Sequence, residues 1–191
     1  YLDLPIQYGA IPSLGYGVLT VIFSPIWTTI AKKIGVRKTY LISLTLHNFI
    51  YIMFFFVSNY IGLILVASLA GIPTAANFGV IATLARAEAI DNATVRTKKR
   101  EEGSFLGIFR VFTAFTYFFQ VALFTIVGLF TGFNPNVIPA VDPVVKQGLN
   151  LQMSLVPLVL NIIATLIIYF TYTITKEQTL ANKTRLKELN L

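Results

Sequence analysis

The chain has 191 residues, 55% of them hydrophobic and 12% charged, with a mean hydropathy of +0.73. Soluble domains carry about 25% charged residues, so half of the usual charge is missing and a water-exposed globular domain is excluded. Cysteine is absent, which removes disulfides, thiolate nucleophiles and thiolate-bound metals together, and the net charge of +7 resides in short connections rather than on a nucleic-acid-binding face, so no nucleic-acid partner is expected.

Five apolar stretches follow one another along the chain, at 10–31, 39–58, 61–85, 104–131 and 149–174. Each is near the roughly 20 residues that cross a hydrocarbon layer of about 30 Å. The expectation is therefore an all-α integral membrane bundle over 1–174 with a short amphipathic tail over 175–191, embedded in the lipid bilayer. Basic residues alternate between sides. Lys32, Lys33, Arg37 and Lys38 follow the first stretch, Arg86, Arg96, Lys98, Lys99 and Arg100 the third, and Lys176, Lys183, Arg185 and Lys187 the fifth. The intervening connections, 58–60 and 132–148, contain the single base Lys146, and the lead contains Asp3 and no base. By the positive-inside rule the N-terminus is outside and the C-terminus cytoplasmic, in what is expected to be the plasma membrane. The chain opens on Tyr1-Leu2-Asp3, without a secretory pattern or an initiator Met. With the odd number of spans, this leads to the expectation of a C-terminal fragment. The 132–148 connection, with Pro135, Pro139 and Pro143, is the one long external loop expected.

Hydrocarbon makes polar side chains costly, so those inside the spans are informative. Arg110 is the only one of the 15 bases within a span, and a central Arg costs roughly 2.5–3.5 kcal/mol on insertion scales. Two readings stand: it snorkels from six residues inside its span, or it faces a water-filled cavity. His47 stands without a second His or a carboxylate in its span, which favours a hydrogen-bonded structural role over a proton relay. Asn77, Gln120 and Asn161 either line a hydrophilic path or join helices. Gly71, Ala75 and Gly79 form a small-residue stripe suited to close helix packing. Pro73 within it should bend the helix, and Pro12, Pro25 and Pro157 offer further breaks. One His, no Cys and carboxylates placed in connections assemble neither a catalytic nor a metal site. No GxxxxGK phosphate loop is present, and an enzyme is not expected.

Three segments carry a family resemblance. The run from Pro25-Ile26-Trp27 through Ile30-Ala31-Lys32-Lys33-Ile34-Gly35-Val36-Arg37-Lys38 is similar to the Gly-centred basic loop of major facilitator transporters. Glu88-Ala89-Ile90-Asp91, then Arg96-Thr97-Lys98-Lys99-Arg100-Glu101-Glu102-Gly103 and Phe105-x-Gly107-x-Phe109, resembles the signature between helices ten and eleven of the glycoside–pentoside–hexuronide cation symporters, the melibiose permease type. Gly148-Leu149 through Met153-Ser154-Leu155-Val156-Pro157, and the exit Tyr172-x-x-Thr175-x-Glu177, resemble that family's last helix. The resemblance implies that the five spans correspond to helices eight to twelve of a twelve-helix fold. It also implies a small-molecule substrate, partnership with an N-terminal helical bundle, and a coupling Na+ or H+ bound mainly in that bundle, with no other cofactor. The chain departs from the pattern at Asn92-Ala93-Thr94, where relatives continue with Tyr-Asp-Glu, and at Lys98, where they have Gly. Ala114 stands where they have a Lys, with Arg110 four residues earlier on the same helix face.

The expected function is cation-coupled uptake of a sugar or related small solute by alternating access. Arg110, Asn77, Gln120 and Asn161 are the substrate-binding candidates. Lys32, Lys33, Gly35, Arg37 and Lys38 form one half of an expected cytoplasmic charge gate, with Glu88 and Asp91 as the other. Two further roles fit the same features. A non-transporting structural subunit of a larger membrane complex is favoured by the missing signature acids, and a lipid or amphiphile transporter by the 14% aromatic content.

Overall fold

The computed structural model describes residues 6–133 and 142–189. Among these, every regular element is helical, as expected for an all-α bundle. A 3-10 turn (Ile6–Gly9) leads into α1 (Ala10–Ile34), α2 (Val36–Phe55) and α3 (Tyr60–Thr74). A π-helical segment (Ala75–Val80) joins α3 to α4 (Ile81–Thr97), and α5 (Glu102–Thr131), α6 (Pro143–Met153), α7 (Leu155–Thr171) and α8 (Lys176–Glu188) complete the chain. Four of the described helical runs are long and apolar enough to cross a membrane: Ala10–Ile34, Tyr60–Thr97, Glu102–Thr131 and Pro143–Thr171. Helix α2 has 20 residues and so the length of a span, but Arg37, Lys38, His47 and Asn48 lower its hydropathy. The expected count of five rests on that helix.

Two boundaries differ from the sequence expectation. The third stretch does not stop near residue 85, and Glu88 and Asp91, expected in a connection, stand on helix α4. Ala82, Ala85, Ala87, Ala89 and Ala93 supply strong helix propensity there, and the helix closes where Lys98 turns left-handed (φ 56°) with its N–H on the Thr94 carbonyl. The last stretch begins earlier, at Pro143, where the Asp142 carboxylate accepts from the Val144 N–H at 2.8 Å. It breaks at Ser154 (φ −120°, ψ −75°). Pro157 accounts for the break, because its ring opposes the Met153 carbonyl and it has no N–H to offer that group. Asp3, Pro135 and Pro139 lie outside the described residues.

The core lies where α1, α2 and the interrupted α3–α4 run meet. Trp27, Ala31, Val36, Ala75, Ala76, Ile81 and Ala85 form its centre, and Ile50, Val57, Val66 and Ala70 form a second cluster toward the other end of α2 and α3. Glycines set the α1–α3 approach: a Cβ on Gly71 would collide with the Tyr16 carbonyl, and one on Gly15 with the Ser68 side chain. The expected small-residue stripe is only half used. Gly71 and Ala75 are buried, whereas Gly79 faces open space. Helices α5 and α7 bury none of their described side chains fully, and they expose rows of Phe, Leu and Ile that suit hydrocarbon rather than water.

Because the obstacle at Gly71 is backbone, Gly71→Ala should destabilise the bundle by about 1–3 kcal/mol, the usual cost of overpacking. Gly17, a helix-interior glycine with nothing within 4 Å of an added Cβ, serves as the control, and Gly17→Ala should be neutral or slightly stabilising. Thermal unfolding of the purified variants in detergent measures both. Equal midpoints would contradict the packing assigned to Gly71.

Candidate functional site

The long run Tyr60–Thr97 loses its regular hydrogen bonding in mid-course. Pro73 has no N–H for the Leu69 carbonyl. Beyond it the Ile81 N–H reaches back five residues to the Ala76 carbonyl, and the backbone at Gly79 leaves helical values (φ −102°, ψ −112°). Such π-insertions are frequent at functional sites. Side chains of α1 reach the carbonyls beside the break: Trp27 Nε1 donates to the Ile72 carbonyl at 2.7 Å, and Thr20 Oγ1 lies 3.2 Å from the Gly71 carbonyl and 2.8 Å from the Tyr16 carbonyl of its own helix, either of which can accept its one proton.

Helix α2 supplies the other wall. Ser43 and His47, four residues apart and so on one face, both meet Asn77. The Ser43 hydroxyl lies 2.5 Å from Asn77 Oδ1 and 2.8 Å from the Tyr40 carbonyl, either of which can accept its one proton. Asn77 Nδ2 stands 3.0 Å from His47 Nδ1. An amide nitrogen only donates, so His47 Nδ1 accepts and the ring proton sits on Nε2. The imidazole stacks on Tyr51 with centroids 4.6 Å apart. Asn77, His47 and Ser43 are buried, at 7%, 6% and 0% exposure. His47 is thus hydrogen bonded within the bundle, to Asn77. Ser43 and Tyr51 were not singled out from sequence; the Ser43–His47 spacing was the available signal.

The four substrate-binding candidates are not gathered at one point. Asn77 belongs to this cluster. Asn161 of α7 donates to the Leu44 carbonyl (3.0 Å) and to Asn48 Oδ1 (2.7 Å), so it braces the adjacent face of the same α2 turn. Arg110 and Gln120 stand apart on exposed faces of α5. Nearer the other end of α2 a cleft of about 270 Å³ is lined by Phe55, Lys146, Gln147, Asn150 and Leu151.

At the basic end, Gly35 joins α1 to α2 with φ +89°, a left-handed value that favours glycine. Lys32, Lys33 and Lys38 are exposed. Arg37 donates to the Tyr169 carbonyl at 2.8 Å, and its guanidinium carbon lies 5.8 Å from the Tyr169 ring centroid. Glu88 accepts from the Tyr172 hydroxyl at 2.5 Å. Asp91 is half-buried on α4. Among the described residues the one ion pair is Arg100–Glu102, at 2.7 Å, so the bases of the α1–α2 corner and the acids of α4 are not paired in this conformation. A hydrogen bond with its own backbone, then one with Thr175 and the nearby Lys176 and Lys38, hold the Glu177 carboxyl below the usual range. Arg86, 4.2 Å from the Phe109 ring centroid, links α4 to α5.

The Asn77 contacts predict a measurable coupling. Asn77→Ala should cost about 1–3 kcal/mol, because it leaves the buried His47 Nδ1 without its donor. Combined with Ser43→Ala, the two losses should fall short of additivity by at least about 0.5 kcal/mol. A double-mutant cycle on thermal or denaturant unfolding measures this, and strict additivity would show that the two side chains do not interact.

The sequence pattern of the MFS/sugar transport protein family matches residues 7–176, from the lead through the first residue of α8. No curated protein and no solved structure matches the chain. A match over that extent, on an all-helical chain with four membrane-capable helical runs, establishes that the chain is an integral membrane protein belonging to the major facilitator superfamily's MFS/sugar transport protein family, a family of transporters.

Proposed function

We propose that the chain forms the C-terminal half of a secondary active transporter that takes up a sugar or related small solute, coupled to Na+ or H+, by alternating access. In this reading α1, α2, the α3–α4 run, α5 and the α6–α7 run correspond to helices eight to twelve, with α2 crossing the membrane despite its polar residues. The orientation is N-terminus outside and C-terminus cytoplasmic, following the distribution of Lys and Arg.

The observation that carries the proposal is the broken helix at Ala75–Val80. In many transporters the binding site near the midplane is formed by interrupted helices beside polar groups. Here the break follows Pro73 and is backed by Ser43, His47 and Asn77. The cluster is too tightly hydrogen bonded to be a solute cavity, so its role is to set the angle between α3 and α4. Solute contacts are assigned instead to the open side of the break, at Phe78 and Gly79, and to α5, where Arg110 presents a planar guanidinium suited to hydroxyl or carboxylate groups. The α1–α2 corner with Lys32, Lys33, Gly35, Arg37 and Lys38, together with Glu88 and Asp91 of α4, forms the gate. Its pairs are open in the described conformation, and each exposed pair is worth only about 0–1 kcal/mol, so they bias the equilibrium without locking it.

The test is uptake into proteoliposomes containing the natural full-length protein, under an imposed Na+ or H+ gradient, with a panel of glycosides, uronides and organic acids. Uptake of at least one solute should follow the gradient. Arg110→Ala should weaken its binding at least about tenfold, roughly one charge-assisted hydrogen bond, and Arg110→Lys should alter preference among solutes. Gradient-independent behaviour for the whole panel would contradict coupled transport, and wild-type affinities in both variants would remove Arg110 from the site.

A further inference from the structure

We propose that α8 carries a docking face for the anionic phospholipid surface, formed by Lys176, Lys183 and Lys187 around Leu180. This goes beyond the transport reading and is independent of which solute is carried.

The orientation of α8 follows from contacts on its opposite side. Gln178 Nε2 and Asn182 Nδ2 both donate to Asn92 Oδ1 of α4, at 3.3 and 3.1 Å. Asn182 and the preceding Ile174 are buried, each at 8% exposure, and the Thr175 hydroxyl caps the helix by accepting from the Gln178 N–H. With that face fixed on α4, helical spacing decides what points away. Lys176, Leu180, Lys183 and Lys187 stand at i, i+4, i+7 and i+11, a single stripe, and all four are exposed, Leu180 by 58%. The acids of α8, Glu177 and Glu188, are each one residue and so about 100° around the helix from the nearest stripe lysine.

The height of this stripe is set by the chain. Only residues 172–175 separate the end of the apolar helix α7 from Lys176. Lys176 Nζ donates to the Lys33 carbonyl at 3.1 Å, so α8 lies where α1 and α7 leave the hydrocarbon, at the level of the headgroups. The three lysines are spread over about 16 Å of helix, too far apart to converge on one free phosphate but matched to a surface of many headgroups. Leu180 in their midst gives an apolar side chain that can enter the acyl boundary. Each lysine near an anionic leaflet shifts the docked-to-undocked ratio about fivefold.

The absence of native cysteine allows a direct test. Leu180→Cys in the full chain, carrying an environment-sensitive fluorophore, is placed in nanodiscs of phosphatidylcholine alone or with phosphatidylserine, and quenching by a headgroup-linked nitroxide is measured. Quenching should be stronger with phosphatidylserine and should fall as salt screens the surface. Lys183→Gln with Lys187→Gln should lower the docked-to-undocked ratio about 25-fold, and Arg at both positions should restore it. Soluble glycerophosphoserine or inorganic phosphate should not displace the label. Equal quenching in the two lipids, a label that stays in water in both, failure of Arg to rescue, or displacement by either soluble anion would each overturn the proposal.

Discussion

A side-chain amide buried where no water reaches must find its partners within the protein or not be buried at all. Asn77 meets that condition at the place where the Tyr60–Thr97 run has lost its regular backbone hydrogen bonds, and the remainder of the described fold is arranged around this requirement. Its Oδ1 and Nδ2 are matched by Ser43 and His47, so α2 must pass with that face toward the break. The carbonyl of Ile72 is matched by Trp27, so α1 must pass on the other side, as close as Gly71 allows. The apolar core of Trp27, Ala31, Ala75, Ala76 and Ile81 fills the space that these constraints define.

The same arrangement separates parts of the run by how firmly they are held. Helix α3 is packed on α1 through Gly15 and Gly71, whereas α4 enters the apolar core only with Ile81 and Ala85 of its first turns and is held toward its end through Tyr172 and Asn92. Its charged residues are not ion-paired among the described residues beyond the Arg100–Glu102 contact past its end. A helix packed in the core over its first turns, next to a break, and held beyond them by a few hydrogen bonds is easier to re-angle than one packed closely on its neighbour. That contrast is the physical basis for treating α4, rather than α3, as the moving arm in the proposed transport cycle.

Much of the fold was legible because membrane helices are written in coarse signals. Charge-free runs and basic connections locate the helices, and Pro73 marks the bend. What failed was register and extent. The spacing of Gly71, Ala75 and Gly79 places all three on one face only if the helix stays regular; the wider π-turn changes the register, which leaves Gly79 open. Glu88 and Asp91 resemble a connection because they are charged, yet the alanines around them continue the helix past the apolar stretch. The site was partly legible: Asn77 and His47 stood out as polar residues in apolar runs, but their mutual contact spans 30 residues of sequence and depends on an unpredicted turn. The Tyr172–Glu88 contact, 84 residues apart, has no local signal either, although Tyr172 belongs to the exit pattern that carried the family resemblance.

The central claim is that the Asn77 cluster sets the angle of α4 across the break while leaving α3 in place. Pulsed electron spin resonance between paired labels in the full chain tests it most directly, with Ile26→Cys and Arg96→Cys reporting α1 to α4, and Val18→Cys and Ile61→Cys reporting α1 to α3. Replacing Asn77 by Leu should broaden or shift the first distance distribution and leave the second unchanged. Two unchanged distributions, or equal changes in both, would contradict the account.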